Sequence, residues 1–228
     1  MANERMSFNS RALIFANGRI PDPQAVQGLI QPGDRILAAD GGSRHVLQLG
    51  LAPAAVIGDL DSLTSEEREH LRLSGTELVE YPRDKDATDL ELALAYAIGA
   101  GCTAIVVVGA LGGRLDQTLG NLALLSAERF AGIDLRLDDG LEEVCLVRSR
   151  LTIHGQVGEL VSLLPWGGPV AGVSTEGLRW PLNRETLFPE KTRGISNEMI
   201  LPQATVAIEQ GLLLVVHRRM KQENRNDE

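Results

Sequence analysis

Two different rhythms of hydrophobic and polar positions divide the chain. From residue 11 to about residue 139, short apolar runs alternate with helical patterns: ALIFA (12–16), RILAAD (35–40), AAVIGD (54–59), ELVEY (77–81), AIVVVGA (104–110) and DLRLDD (134–139). Runs that are apolar at consecutive positions suit strands covered on both faces, as in a parallel sheet with crossover helices. Helical patterns near 22–31, 43–49, 64–73, 88–99 and 117–130 fill the intervals. This alternation predicts an α/β N-terminal domain with a mostly parallel sheet. Two helix starts carry readable caps. Thr64 with Glu67 and Thr88 with Glu91 both fit the capping box, in which a hydroxyl and a carboxylate satisfy each other's orphan backbone donors. The second places Asp89 at the first position of its helix.

After about residue 140 the rhythm changes to EVCLV, LTIHG, LVSLL, VAGVS, TVAIE and LLLVVH, punctuated by turns at HG, WGGP, TEG and EQG. These β-rich runs have almost no helical period and predict a C-terminal all-β sandwich of antiparallel strands, with the boundary near residue 140. The polar end KQENRNDE is expected to fray.

A chain of 228 residues allows one large domain or two modest ones and is long enough to bury a proper core. Hydrophobic residues make up 43% and charged residues 23%, ordinary globular values that set disorder aside for all but the ends. The formal charge of −9 and a pI near 5.0 disfavour attachment to nucleic acid or to an anionic membrane, both of which reward Lys/Arg clusters. No run approaches the roughly 18 apolar residues of a membrane span, and the opening MANERMSFNS lacks the apolar centre of a leader peptide. Cys102 and Cys145 are too few for a disulfide framework or a Cys-based zinc site. Together these features predict a cytoplasmic protein in a reducing compartment.

In an open parallel sheet, ligands bind beyond the carboxyl ends of the strands. Here those positions are acidic or glycine-rich: Asp40-Gly41-Gly42, then Gly58-Asp59-Leu60-Asp61-Ser62, then Asp84 to Asp89, then Gly109 to Asp116. Four connections thus deliver carboxylates to one edge, where like charges repel and raise each other's pKa unless a cation sits among them. Oxygen ligands without His or Cys point to magnesium. Asp59 and Asp61, two apart, would face the same side of an extended segment about 7 Å apart, close enough to fold around one ion or two. Each residue alone has a plainer reading. Aspartate is a common turn residue, Asp89 suits a helix start, paired glycines make tight turns, and a lone Arg114 is as readily a surface residue as a phosphate ligand. Co-location is what argues for a site. The sequence has no GxxxxGK[ST] loop, no GxGxxG after the first strand, no HExxH and no GxSxG, and His45, His70, His154 and His217 lack ligand spacing.

The strings ADGG, GDLDS, KDATDLE, GALGGRLDQTLGN, GLRWPL and SNE, in that order from about residue 38 to 198, closely resemble the thiamin pyrophosphokinase family. The resemblance implies magnesium-dependent transfer of a pyrophosphoryl group from ATP to the hydroxyethyl oxygen of thiamine, giving thiamine diphosphate and AMP. It implies a catalytic domain over 1–140 that binds nucleotide and metal, a thiamine-binding and dimerisation domain over 141–228, and a homodimer with sites between subunits. Asp40, Asp59, Asp61, Asp89 and Asp116 match the family's acidic positions around metal, phosphates and thiamine, with Asp59 and Asp61 as metal ligands. Asp86 belongs to the same strings and shares with Asp89 the candidacy for general base. Asp40, Gly41, Gly42, Arg114 and Asp116 are the expected ATP contacts. Trp180, Ser196 and Asn197, with Asp89, are the expected thiamine contacts, since an indole face suits a cationic ring. Without the resemblance, Trp180 is equally a core residue between sheets. Gln117 departs from the family, which usually has histidine after the aspartate of GGRxD; glutamine keeps hydrogen bonding but does not titrate. Two alternatives stand beside this reading. A pterin alcohol as acceptor is opposed by GLRWPL and SNE, and a non-catalytic thiamine or nucleotide sensor is encouraged by Gln117 but opposed by the retained acidic positions.

Overall fold

The computed structural model describes residues 10–220; the polar opening stretch, apart from Ser10, and the tail expected to fray lie outside the described residues. The chain divides between Asp139 and Gly140 into two units. In the first, the six apolar runs form β1 (Ser10–Phe15), β2 (Arg35–Ala39), β3 (Ala55–Gly58), β4 (Glu77–Glu80), β5 (Cys102–Val108) and β6 (Asp134–Asp138). They bond in the order β6-β5-β1-β2-β3-β4, and every pair is parallel. Between them lie α1 (Pro23–Gln27), α2 (Ser43–Gln48), α3 (Ser65–Leu73), α4 (Asp89–Gly99) and α5 (Leu115–Leu124).

The sheet is buried on both faces, which is why its strands carry no polar alternation. On one face Leu13, Phe15, Ala38, Val56, Val106 and Val108 pack against Val26, Val46 and Leu71 of α1, α2 and α3. Neighbouring positions such as Ile14, Leu37 and Ile57, also fully buried, alternate to the other face. There α4 crosses β1, β2, β3 and β5. Its buried Leu90, Ala93, Leu94 and Ala97 follow the i, i+3, i+4, i+7 spacing of a single apolar stripe. Each large side chain so buried is worth about 1.5–3 kcal/mol.

Strand register is the feature that builds a site. Phe15 is level with Ala38 and with Val108, Ala39 with Ile57, and Gly58 with Glu80. The residues that follow each strand therefore emerge at a common edge. The sheet order reverses at β1, with β2 on one side and β5 on the other, and this is where an open α/β sheet forms its crevice.

Three local expectations are revised. The first helix ends at Gln27, followed by Gly28 and then Pro32-Gly33, while Asp22 caps its start through the N–H groups of Gln24 and Ala25. The last helix starts at Leu115 and stops at Leu124, and extended backbone at Ala127 separates it from a 3-10 turn at Glu128–Phe130. The Thr64–Glu67 capping box forms in full, but at Thr88 only half forms: its hydroxyl accepts from the Glu91 N–H, and the Glu91 carboxylate pairs with Arg129 instead.

The second unit is antiparallel. Strands β7 (Glu142–Val147), β9 (Leu160–Pro165), β12 (Asn197–Glu198) and β14 (Leu213–Arg218) pair as β12-β9-β14-β7. Strands β8 (Arg150–His154), β10 (Val170–Glu176), β11 (Glu185–Leu187) and β13 (Gln203–Ala207) pair as β11-β10-β13-β8. Val161, Leu163 and Val215 of one sheet share a core with Ile153, Val173 and Val206 of the other. The strands β11 and β12 add to the six expected runs; at three and two residues they are too short to carry a period.

The capping box yields a stability prediction. Thr64→Ala should destabilise the fold by about 1 kcal/mol in chemical denaturation. Glu67, held down to about 2 mainly by the hydrogen bond from Arg44, contributes stability that is present above its ordinary carboxyl range near 4.5 and fades as pH falls toward 2. The exposed setting of this pair keeps its contribution small. Glu67→Gln should therefore narrow the stability gap between pH 6 and pH 3; an unchanged gap would show that the pair does not contribute.

Candidate active site

The edge where the parallel strands end opens into a cleft of about 580 Å³, within the range of small-molecule sites. Its lining includes Asn17, Gly18 and Arg19 after β1, Asp40 after β2, Lys85 and Asp89 before and at the start of α4, and Gly112, Gly113, Arg114 and Gln117 after β5. Two loops are stitched together across the crevice. The Gly18 N–H donates to Gly109 O at 3.0 Å, the Arg19 N–H to Gly112 O at 3.2 Å, and the His45 ring holds Gly18 O from behind at 2.8 Å.

At the centre of the edge, Asp40, Asp59 and Asp89 each bring one carboxylate oxygen within 4.8 Å of the others. Asp40 sits in a 3-10 turn with Gly41 and Gly42, all three buried, and its φ of 44° is in the left-handed region. Asp and Asn are among the few side chains that visit this region readily, though at a cost usually met at functional sites. Gly42 lies so close to β1 that a Cβ would stand 2.0 Å from Phe15 O. Gly58, with φ of 153°, is what lets the aspartates converge: a Cβ there would lie 2.9 Å from Asp89 Oδ1 and 3.1 Å from Asp40 Cβ.

Lys85 is the cation in this field, with Nζ 3.0 Å from Asp89 Oδ1 and 3.4 Å from Asp59 Oδ2. Burial works against its ammonium, but the hydrogen bond and charge of Asp89, with those of Asp59, more than offset this and raise its pKa. Asp89 is pushed up, first by burial and then by the charges of Asp59 and Asp40, against the pull of Lys85. Asp59 is held below the usual range, chiefly because it accepts the Asp61 N–H at 3.1 Å. Asp40 Oδ1 is buried and has no hydrogen-bond partner among the described residues.

The other candidates lie apart from this trio. The segment after β3 is a turn rather than an extended strand, with Leu60 at φ 59°, and Asp61 is not one of the three carboxylates that converge. Asp61 is half-exposed beside Arg83 at 3.7 Å, while Arg44 and Arg68 hold the Ser62 and Leu60 carbonyls of the same turn. Asp86 is exposed and does not line the cleft. Arg114 and Asp116 face solvent as a two-bond pair at 2.6 and 3.1 Å, which lowers the Asp116 pKa. In the second unit, Trp180 is 56% exposed, Ser196 is exposed at φ 58°, and Asn197 is buried.

Sequence reasoning passed over Lys85, flanked by two aspartates, and over Asn17 to Arg19. The second could have been found by inspecting the residues after the first strand as closely as those after the others. His45 supports that loop through a contact that no spacing announces.

The model of the thiamin pyrophosphokinase catalytic domain matches residues 26–137, and that of the family's vitamin B1 binding domain matches residues 149–213. The chain belongs to the thiamin pyrophosphokinase family. A thiamine pyrophosphokinase of Bacillus subtilis (strain 168) is 30% identical over 182 residues, spanning 79% of this chain and 85% of that one. Thiamine pyrophosphokinase 3 of Oryza sativa subsp. japonica is 32% identical over 200 residues, spanning 77% and 74%. The crystal structure of the Bacillus subtilis thiamine pyrophosphokinase aligns with a TM-score of 0.83 at 26% identity, covering 93% of this chain and all of that one. The thiamin pyrophosphokinase from Candida albicans, at 14% identity and a TM-score of 0.76, shares the fold. The reaction of the thiamin pyrophosphokinase family, transfer of pyrophosphate from ATP to thiamine, is the activity of this chain.

The packing at Gly58 generates a prediction. Gly58→Ala should wedge Asp40 and Asp89 apart, and a misplacement of this kind costs on the order of 100-fold in turnover. Activity per folded molecule, with the folded fraction taken from a melting curve, would measure it; full activity in folded Gly58→Ala protein would show that close convergence is unnecessary.

Proposed function

We propose that the cleft around Asp40, Asp59 and Asp89 carries out this transfer with magnesium, in the cytoplasm, and that the acceptor is held by Trp180 and Ser196. The observation that carries the reading is that Asp40, whose Oδ1 is buried and unpartnered among the described residues, brings a carboxylate oxygen within 4.8 Å of those of Asp59 and Asp89. An all-oxygen donor set of this kind fits a hard dication. Asp59 and Asp40 would hold it, with Asp61 at the rim of the same turn and Asp89 kept to receive the proton. Bound magnesium would supply charge neutralisation at the phosphate oxygens.

The chain's own groups do the rest by placement, as phosphoryl-group chemistry requires. The amides of Gly112 and Gly113 and the Arg114 guanidinium steady the triphosphate, while Gly41 and Gly42, buried and outside the lining, shape the turn that carries Asp40. Lys85, held against Asp89 and Asp59, adds a positive charge at the lining of the cleft. The thiamine hydroxyl oxygen attacks the β-phosphorus while the bond from that phosphorus to the α–β bridging oxygen breaks. AMP leaves with the electron pair, and the hydroxyl proton passes to a carboxylate of the cleft. Asp89 lines the cleft and Asp86 does not, which favours Asp89 for this role. Gln117, also in the lining, contributes hydrogen bonds only.

The direct test follows AMP. Its release should require both thiamine and magnesium and stop on chelation, whereas a sensor would release none and a pterin-specific enzyme would ignore thiamine. Asp59→Asn and Asp61→Asn should each lower turnover by about 100-fold or more. Magnesium-dependent turnover at the normal rate in either variant would remove that residue from the metal site.

We further propose a homodimer in which the acidic cleft of one copy works with the Trp180 segment of its partner. The exposed Trp180, Phe188, Ile195, Ile200 and Leu201 of the second unit support an apolar contact there. Mixing Asp59→Asn chains with Trp180→Ala chains should restore one working site per heterodimer. If differently tagged chains exchange and thiamine-dependent AMP release does not recover, each chain builds its site alone.

A further inference from the structure

Within the second unit, the string SNE assigns three consecutive residues to three different tasks. Ser196 turns its hydroxyl outward at a left-handed backbone position, with no partner for that hydroxyl among the described residues. Glu198 pairs with Arg179 at 3.1 Å, and the Arg179 guanidinium lies over the Trp180 ring at 5.3 Å. Asn197, 8% exposed, turns inward. Its Oδ1 accepts the Trp180 N–H at 3.1 Å and the Glu198 N–H at 2.9 Å, and its Nδ2 donates to Trp180 O at 2.7 Å.

An asparagine amide offers two donor hydrogens and two acceptor positions. Three of these four are spent on main chain, two of them on Trp180 itself. Trp180 needs such support because it lies in a bend between strands, and its indole, more than half exposed, is not fixed by core packing. Asn197 is in turn anchored to the sheet. It pairs with Val161 in the β12–β9 ladder, the Ser196 N–H donates to Ser162 Oγ at 3.0 Å, and the Met199 N–H donates to Glu159 O at 2.8 Å. The Glu159 carboxylate is buried against His217 Nε2 at 2.8 Å and accepts the N–H groups of Gln156 and Met220. Hydrogen bonds from His217 of β14 through Glu159 to Met199, and the short stretch of chain from Met199 back to Asn197, thus tie β14 to the main chain of Trp180.

We infer that Asn197 is a positioning residue, whose side chain clamps the main chain of Trp180 and presets the indole for the thiamine ring, and that it does not itself contact thiamine. The inference rests on the reading that Trp180 receives thiamine and adds a rigid frame to it. Presetting an exposed ring lowers the ordering cost of binding, so the clamp acts on thiamine affinity and leaves the chemical step alone.

The test uses the full chain with Trp166→Phe, which leaves Trp180 as the sole indole. In that background, Asn197→Ala should lower the fluorescence anisotropy of Trp180 and raise its quenching by acrylamide in the absence of any ligand. It should raise the KM for thiamine roughly tenfold, the scale of a lost buried hydrogen-bonded group, with kcat and the KM for ATP little changed. Asn197→Asp keeps the acceptor half of the clamp and should fall between; it carries the test if Asn197→Ala does not fold. A raised thiamine KM with unaltered anisotropy and quenching would mean that Asn197 touches thiamine, and a mobile Trp180 with an unaltered KM would mean that the clamp is idle; either overturns the inference. Trp180→Ala is the control on the underlying reading. If it leaves the KM for thiamine unchanged, Trp180 is not the platform, and that reading fails whatever Asn197 does to the ring.

Discussion

Three carboxylates whose oxygens lie within 4.8 Å of one another form an arrangement that the rest of the first unit has to sustain. At such separations each like-charge pair costs on the order of 3–4 kcal/mol in surroundings of effective dielectric near 20. Lys85 offsets part of this by lying against two of the three, and the Asp89 pKa still rises, first through burial and then through the charges of Asp59 and Asp40. A folded protein keeps such a focus of repulsion only where the backbone over-determines it. Here it does so in several ways. The strand ends are level, Asp40 is held in a left-handed turn, Gly58 leaves room for two side chains, and Arg44 and Arg68 fasten the turn that carries Asp59.

Family membership gives that strain a purpose. On the proposed reading, a cleft that gathers negative charge repels a triphosphate unless cations mediate, so the acidic edge and a bound dication would belong to one design. The glycine-rich loops on the far side of the crevice, tied to each other through Gly18, Arg19, Gly109 and Gly112, line the same space together with Arg114. The site is therefore divided by charge, with carboxylates after β2 and β3 and at the start of α4, and donors after β1 and β5.

The second unit solves a different problem. On the proposed reading Trp180 offers its ring to a ligand and so cannot be buried for its own stability, and something other than core packing must orient it. Hydrogen bonds to main chain serve this purpose because they act on the residue's backbone and leave the ring face unobstructed. The antiparallel sheets supply a rigid ladder from which such bonds extend, and the buried Glu159–His217 pair fixes the turn at its end.

Much of this was legible in the chain itself. Consecutive apolar positions in β1, β3 and β5 dictate strands covered on both sides, and the i, i+3, i+4, i+7 stripe from Leu90 to Ala97 dictates the helix that covers one of them. Once parallel strands are inferred, the residues after them must share an edge, so Asp40, Asp59 and Asp89 could be named as neighbours before any coordinate was known. The ordered strings from ADGG to SNE carried the family, because they are local in sequence. Tertiary structure alone decided which carboxylates meet: among several aspartates of the right type and neighbourhood, Asp40, Asp59 and Asp89 bring oxygens within 4.8 Å of one another. It alone decided that Lys85 lies between two aspartates, that His45 braces Gly18, and that Asn197 spends its amide on Trp180. These contacts join residues 4 to 27 positions apart through turns with positive φ and side-chain rotation. Periodicity constrains neither, because it reports which face of an element is buried and not where a loop's side chains end.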